Sequence, residues 1–346
     1  MKLTKLVVHI GHGKTGSSSI QKTLVEGGPG LARQNIRYLG IMLEYAQNTA
    51  KPKWQFPEGS DIFFSPQKAD ERAREIYPIL KEELEVLAKQ GVKTAIWSNE
   101  WILERYAYII PALQRLRSEG HEVHLQCYVR HPDKWAQSAY SQWGLKHKSY
   151  PGEIRPFGKW RSVFGSSFKV YPDVKQWADC FGSDFHLFNF DEAGNVVAHF
   201  LKANSVQDLN VVNENITPSP EIIAAQAVFN NRSYDPVWPQ SFDPFLNFLQ
   251  KHDPAGVKTP ELGDLMPSRD ELAQLVEESS DDILKVNSIL EASGEPRLSF
   301  SSPPKQIDQP TSWEMEQFLL KAVFALFQQV THLQNELNKV KKETME

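Results

Sequence analysis

The run Gly11-His12-Gly13-Lys14-Thr15-Gly16-Ser17-Ser18-Ser19 sets a single lysine among three glycines and a string of hydroxyl side chains. Glycine lets the backbone take turns that point successive amide hydrogens into one concavity, and Lys14 adds a mobile positive charge to it. Thr15, Ser17 and Ser18 supply hydroxyl donors at the same place. Together these groups suit the oxygens of a phosphate or sulfate. An ordinary strand-to-helix turn capped by Ser17 would explain the glycines and one serine, but not a lysine between them.

A second set of candidates stands in Tyr128-Val129-Arg130-His131-Pro132-Asp133-Lys134-Trp135-Ala136-Gln137-Ser138. An arginine at a strand end can pair bidentately with a terminal phosphate. A serine eight residues later can face the same ligand if Pro132 turns the chain into a helix. Taken alone, a strand-end arginine serves equally well in a surface ion pair.

These residues need elements that hold them. Leu6 to Ile10 is a short β-branched run ending at glycine, which predicts a buried strand, and a helix should open near Ser17, adding its dipole to the loop. Residues 68 to 90 space Ile76, Leu80, Leu84 and Leu87 by three and four and stop at Gly91, so a helix is expected there. Strands are expected at Val92 to Trp97, Val123 to Val129 and Phe185 to Phe190. Helices are expected at Pro111 to Glu119, from Pro132 to about Leu145 and around Val196 to Lys202. Residues 44 to 66 and 146 to 170 lack periodicity and read as long loops. Strands separated by helices imply crossover connections. The fold class is therefore α/β, a P-loop-like three-layer fold with a central, mostly parallel sheet over residues 1–215. Prolines then punctuate a helical extension over 216–311. Residues 312–346 form one long amphipathic helix, in which Val323, Leu326, Val330, Leu333, Leu337 and Val340 alternate spacings of three and four. That seam suits a coiled coil between copies of the chain, or equally docking on its own domain.

The loop departs from a nucleotide-triphosphate P-loop, in which the lysine follows the second glycine, because Lys14 precedes Gly16. It resembles instead the phosphosulfate-binding loop of sulfotransferases, a lysine, a hydroxyl residue, a glycine and two more hydroxyl residues: Lys14-Thr15-Gly16-Ser17-Ser18. Arg130 and Ser138, with Pro132 between them, resemble that family's 3′-phosphate-binding motif, and the two motifs occur in the family's order. Tyr171-Pro172, Trp177, Phe181-Gly182 and Asn189-Phe190-Asp191 are similar to the continuation in bacterial members, so the resemblance covers roughly residues 5 to 215. Ser19 stands where the cytosolic small-molecule branch carries tryptophan, and the late GxxGxxK element of that branch is missing. The resemblance therefore implies the branch acting on carbohydrates and other larger acceptors. It implies 3′-phosphoadenosine 5′-phosphosulfate as co-substrate, bound by Gly11, Gly13, Lys14, Thr15, Gly16, Ser17, Ser18, Arg130 and Ser138.

Sulfuryl transfer needs an in-line nucleophile and a neutralised leaving group, and Lys14 is placed to stabilise the leaving oxygen. An acceptor hydroxyl also needs a general base. Glu100, in Trp97-Ser98-Asn99-Glu100-Trp101 at the second strand's carboxyl end, is one candidate, and a simple helix-N-terminal acid is its plainer reading. His12 is the rival base, or a donor to an oxyanion. A net charge of −5, from 38 basic and 43 acidic residues, offers no global field for nucleic acid. Two cysteines without metal or redox spacing, Cys127 and Cys180, and the lack of an apolar leader or span, lead to the expectation of a cytoplasmic protein without a metal. An NTP-dependent kinase and a non-catalytic nucleotide-binding assembly protein are the competing classes.

Overall fold

The computed structural model describes residues 3–164, 168–212, 220–238, 241–242, 265–299 and scattered positions of 311–336. In chain order, β1 (Lys5–His9) leads through the glycine loop to α1 (Ser17–Glu26), α2 (Gly28–Arg33) and β2 (Ile36–Tyr38). A single helical turn α3 (Ser60–Phe63) and the long α4 (Ala69–Lys89) precede β3 (Thr94–Ser98), then α5 (Ile110–Ser118) and β4 (Val123–Val129). After β4 come α6 (Pro132–Ala139), which continues as a π-helical stretch Tyr140–Lys146, then α7 (Phe157–Phe164) and α8 (Tyr171–Phe181). The chain goes on through β5 (Phe185–Asn189), α9 (Val196–Ala203), α10 (Pro220–Arg232), α11 (Arg269–Glu278) and α12 (Ser280–Ala292).

All five strands are parallel, in the order β2-β3-β1-β4-β5, and helices flank the sheet. Side chains alternate across a strand, so a strand covered on both faces must be apolar at nearly every position. Val7 of β1 joins Ile20 and Leu24 of α1, Leu31 of α2, Ile96 of β3 and Val197 and Phe200 of α9 in one core. Its neighbours Leu6 and Val8 are fully buried on the opposite face. The α/β architecture expected from the sequence is the one present.

Two differences have local causes. β2 was not expected: three residues, with Arg37 exposed between two buried neighbours, are too few to show a period. The stretch 146 to 170, read as a loop, contains α7, whose Phe157 and Trp160 pack on Tyr140 with ring centroids 5.5 and 5.3 Å away.

Contacts divide the chain into two compact units. One comprises Met1–Pro132, Ser167–Ile216 and Glu278–Ser302 and holds the whole sheet; the other comprises Asp133–Ser166, Thr217–Glu277 and Pro303–Glu346. Among the described residues, the second unit has helices and one antiparallel bridge, between Lys148 and Val237. Lys148 is fully buried there and donates to the carbonyls of Gly152, at 2.7 Å, and Ser233. Of the expected terminal helix, the described positions between 312 and 336 are helical; Val323, Leu337 and Val340 lie outside the described residues. No helix among the described residues is long and apolar enough to cross a membrane.

Candidate functional site

The carboxyl edge of the sheet gathers the candidates. β1 is central; the chain leaves it towards β2 on one side, whereas it leaves β4 towards β5 on the other. Connections that part in this way open a crevice at the strand ends, between β1 and β4. The glycine loop follows β1, and Arg130 follows β4.

Within the loop, Lys14 has φ +68° and Gly16 φ +81°, both left-handed. Only glycine takes that conformation without cost, and at Gly16 a Cβ would also stand 2.5 Å from Val196 Cγ1 at the start of α9. Gly16 is the N-cap of α1 and, like any glycine, offers no side chain to its first turn. Ser17, a possible cap by sequence, is the first helical residue instead. The leading N–H groups of α1 therefore keep their capacity for an anion, reinforced by the helix dipole. Ser17 Oγ is buried and has no hydrogen-bond partner among the described residues. Thr15 is also buried, and its hydroxyl donates to the His12 carbonyl, which closes the loop on itself. Ser18 is exposed, and Gly13 and Lys14 are half-buried.

Sequence reasoning missed His9, the last residue of β1. It is fully buried, its Nδ1 lies 2.8 Å from Ser98 Oγ on β3, and its Nε2 has no hydrogen-bond partner among the described residues. A Cβ at Gly11 would stand 2.9 Å from His9 Nε2 and 3.1 Å from Ser17 Oγ, so two unsatisfied buried polar atoms flank the same side of the loop. The available signal was periodicity: His9 shares the core-facing phase of Val7, where a polar residue is out of place. Burial lowers the pKa of both His9 and His12 to about 3, so both rings are neutral near pH 7. His12 is therefore no cationic partner for an anion. Its main chain faces the Cys127 thiol on β4, which burial pushes up to about 12.

On the other side of β1, Glu100 opens a 3₁₀ turn directly after β3. The cap of that turn is Asn99, whose side chain accepts from Trp101 N at 2.9 Å. Glu100 is the acid in the first position of that turn, as its plainer reading expects, and not the cap. Its Oε2 accepts from Gln21 Nε2 of α1 at 2.8 Å, and the same amide nitrogen reaches the Ser98 carbonyl at 3.3 Å. Tyr38, at the end of β2, buries a hydroxyl that has no hydrogen-bond partner among the described residues, and burial, followed by the neighbouring Glu44, Tyr45 and Glu100, raises its pKa.

Arg130 donates from Nε to Asp191 Oδ1 at 3.3 Å, beyond the end of β5, and its guanidinium lies 5.1 Å from the Phe190 ring centroid. Asp191 Oδ2 accepts the His131 N–H at 2.9 Å. Ser138 lies half-buried on α6, within the second unit. The sheet thus brings Lys14, Ser17, Glu100 and Arg130 to one edge of the first unit. Among the described residues no group of three His, Cys, Asp or Glu side chains is arranged to hold a metal.

A scan against protein-family models finds no match, and a search of curated proteins finds none either. Among solved structures, the chain is similar to a sulfotransferase from Alicyclobacillus acidocaldarius, at 14% identity and a TM-score of 0.34, with 66% of this chain and 96% of that one covered. A likeness at that score decides nothing. The functional reading rests on this chain's own sheet order, loop and strand-end residues.

Proposed function

We propose that this protein is a sulfotransferase, moving the sulfuryl group of 3′-phosphoadenosine 5′-phosphosulfate to a hydroxyl or amine of an acceptor, with a carbohydrate or glycoconjugate as the acceptor class. The observation that carries this reading is the loop at the end of the central strand. The first turn of α1 has no side-chain cap, Ser17 Oγ has no hydrogen-bond partner among the described residues, and Lys14 belongs to the same loop, beside the strand whose end carries Arg130. An oxyanion held by backbone donors and one cation needs no metal to be bound.

In the reaction, an acceptor oxygen attacks sulfur in line and the bond from sulfur to the phosphate oxygen breaks. The electron pair stays on adenosine 3′,5′-bisphosphate, and the acceptor's proton passes to Glu100. Lys14 and the first turn of α1 stabilise the negative charge that grows on the leaving phosphate. Arg130 takes the 3′-phosphate.

The test incubates the protein with sulfur-labelled phosphosulfate donor and a panel of glycans, lipids and phenols. Label transferred to a glycan is the expected result. Binding of magnesium-ATP in preference to adenosine 3′,5′-bisphosphate, with no labelled product, would overturn the proposal in favour of NTP chemistry.

A further inference from the structure

Gln21 is almost fully buried, in the second turn of α1, one helical turn beyond Ser17 and hence on the same helix face. A buried amide must use its hydrogens, and both bonds assigned to Nε2 go to the end of β3: the Ser98 carbonyl at 3.3 Å and Glu100 Oε2 at 2.8 Å. Glu100 Oε1 has no hydrogen-bond partner among the described residues. Ser98 is in turn fully buried and joined through Oγ to His9 Nδ1 at 2.8 Å. A continuous polar chain therefore runs from the floor of the anion loop to the carboxylate: His9, Ser98, Gln21, Glu100.

We propose that Gln21 is a positioning residue, holding one oxygen of Glu100 so that the other is presented to the acceptor in fixed register with the phosphosulfate loop. The register follows from the covalent economy of the arrangement, because the helix that opens on the loop also carries the amide. A free glutamate side chain samples several rotamers and is ordered only at an entropic cost. Gln21 meets that cost before substrate arrives. It touches neither donor nor acceptor itself. The inference rests on the reading of Glu100 as the base.

The experiment is a double-mutant cycle on the full chain, with turnover of labelled donor, calorimetric binding of adenosine 3′,5′-bisphosphate and thermal melting measured for each variant. Gln21→Met keeps the length of the side chain and removes its donor. It should lower kcat about 10- to 100-fold, the scale of a misplaced catalytic group, with nucleotide affinity changed by less than about threefold. On a Glu100→Gln background it should lower kcat by less than about twofold, since nothing remains to be positioned. Equal losses on both backgrounds, or an early melt with turnover per folded molecule unchanged, would reduce Gln21 to a strut between α1 and β3. Should Gln21→Met fail to fold, Gln21→Leu, which is also apolar and without a donor, carries the same expectation. If Glu100→Gln alone keeps near-full turnover, the base assignment fails and this inference falls with it. If Glu100→Gln is impaired and Gln21→Met is not, only the positioning role is overturned.

Discussion

Arg130 and Asp191 are paired, Nε to Oδ1 at 3.3 Å, although they come from the ends of different strands. The pair takes one edge of the guanidinium and leaves its two terminal nitrogens for a phosphate. The second oxygen of Asp191 holds the His131 N–H, so one carboxylate fixes both the side chain and the main chain of this segment. Arg130→Ala should weaken adenosine 3′,5′-bisphosphate about 10- to 100-fold, the worth of a hydrogen-bonded charge, and adenosine 5′-phosphate far less. Asp191→Ala should act in the same direction through loss of orientation. Calorimetry with both nucleotides decides it: equal losses for the two would mean that Arg130 serves the strand end and not the 3′-phosphate.

Lys14 is a non-glycine residue at φ +68°, a conformation that costs about 1 kcal/mol. Its retention against that cost is expected if the ammonium acts on the donor. Lys14→Gly should therefore abolish transfer while leaving urea stability unchanged within about 1 kcal/mol, since relief of strain offsets the added freedom of the unfolded chain. Turnover within tenfold of the unaltered protein would contradict the role.

Gly16 combines two demands, a left-handed backbone and the approach of Val196 Cγ1 to 2.5 Å from any added Cβ. Gly16→Ala should destabilise by about 1–3 kcal/mol and weaken nucleotide binding together with stability. Adding Val196→Ala removes the clash but not the backbone cost, so it should restore part of the loss. Complete restoration in denaturant titrations would show that φ was never limiting.

Elements with several turns or an uninterrupted apolar run were legible from the sequence: Val123–Val129 is found as expected, and the helix expected at 68 to 90 is Ala69–Lys89. The turn from β1 into α1 was legible because glycine follows a short apolar run directly. Three kinds of feature were not. β2 is too short for a period and is defined only by its pairing with β3. His9, Gln21 and Ser98 are single polar residues whose meaning comes from contacts across 77 and 89 positions, which no local pattern encodes. The partner of Glu100 was invisible for the same reason, since a carboxylate after a strand reads first as a helix-N-terminal acid, which it also is.

Acid should unfold the protein through its buried histidines. His9 and His12 titrate at about 3 in the folded chain, because burial disfavours their charged forms, and near 6.5 when unfolded. The unfolded state therefore binds more protons as pH falls from about 6.5 to 3, and the stability present above that window is lost within it. Asp173 opposes this. Burial, then Glu104 and Asp282, raise its carboxyl to about 6, so folding takes up a proton there between about 6 and 3.8. His124 and His147, also lowered by burial, add to the loss, and Asp282, raised by burial, joins the opposition; four histidines outnumber two aspartates, so stability should fall as pH drops through that range. His9→Gln should flatten the dependence measured by urea titration from pH 7 to 4. An unchanged slope would mean that His9 already titrates normally.

Glu100→Gln preserves shape and the contact with Gln21 but removes the proton acceptor, so nucleotide affinity should persist while turnover falls by roughly 100-fold or more. His12→Asn and His9→Gln under the same assay separate the alternatives. His12 is almost fully buried, and its neutral ring faces no demand for charge near pH 7. Its replacement should change turnover less than that of Glu100. His9 can present either a lone pair or a hydrogen at Nε2, according to which way the Ser98 hydroxyl points. With an oxyanion bound it should present the hydrogen, so His9→Gln should weaken donor binding more than it slows a saturated enzyme. Retained turnover in Glu100→Gln with its loss in His9→Gln would move the base from β3 to the floor of the loop. Loss of nucleotide affinity and early melting in Glu100→Gln would show that the carboxylate, through Gln21, holds α1 to the end of β3 and does no chemistry.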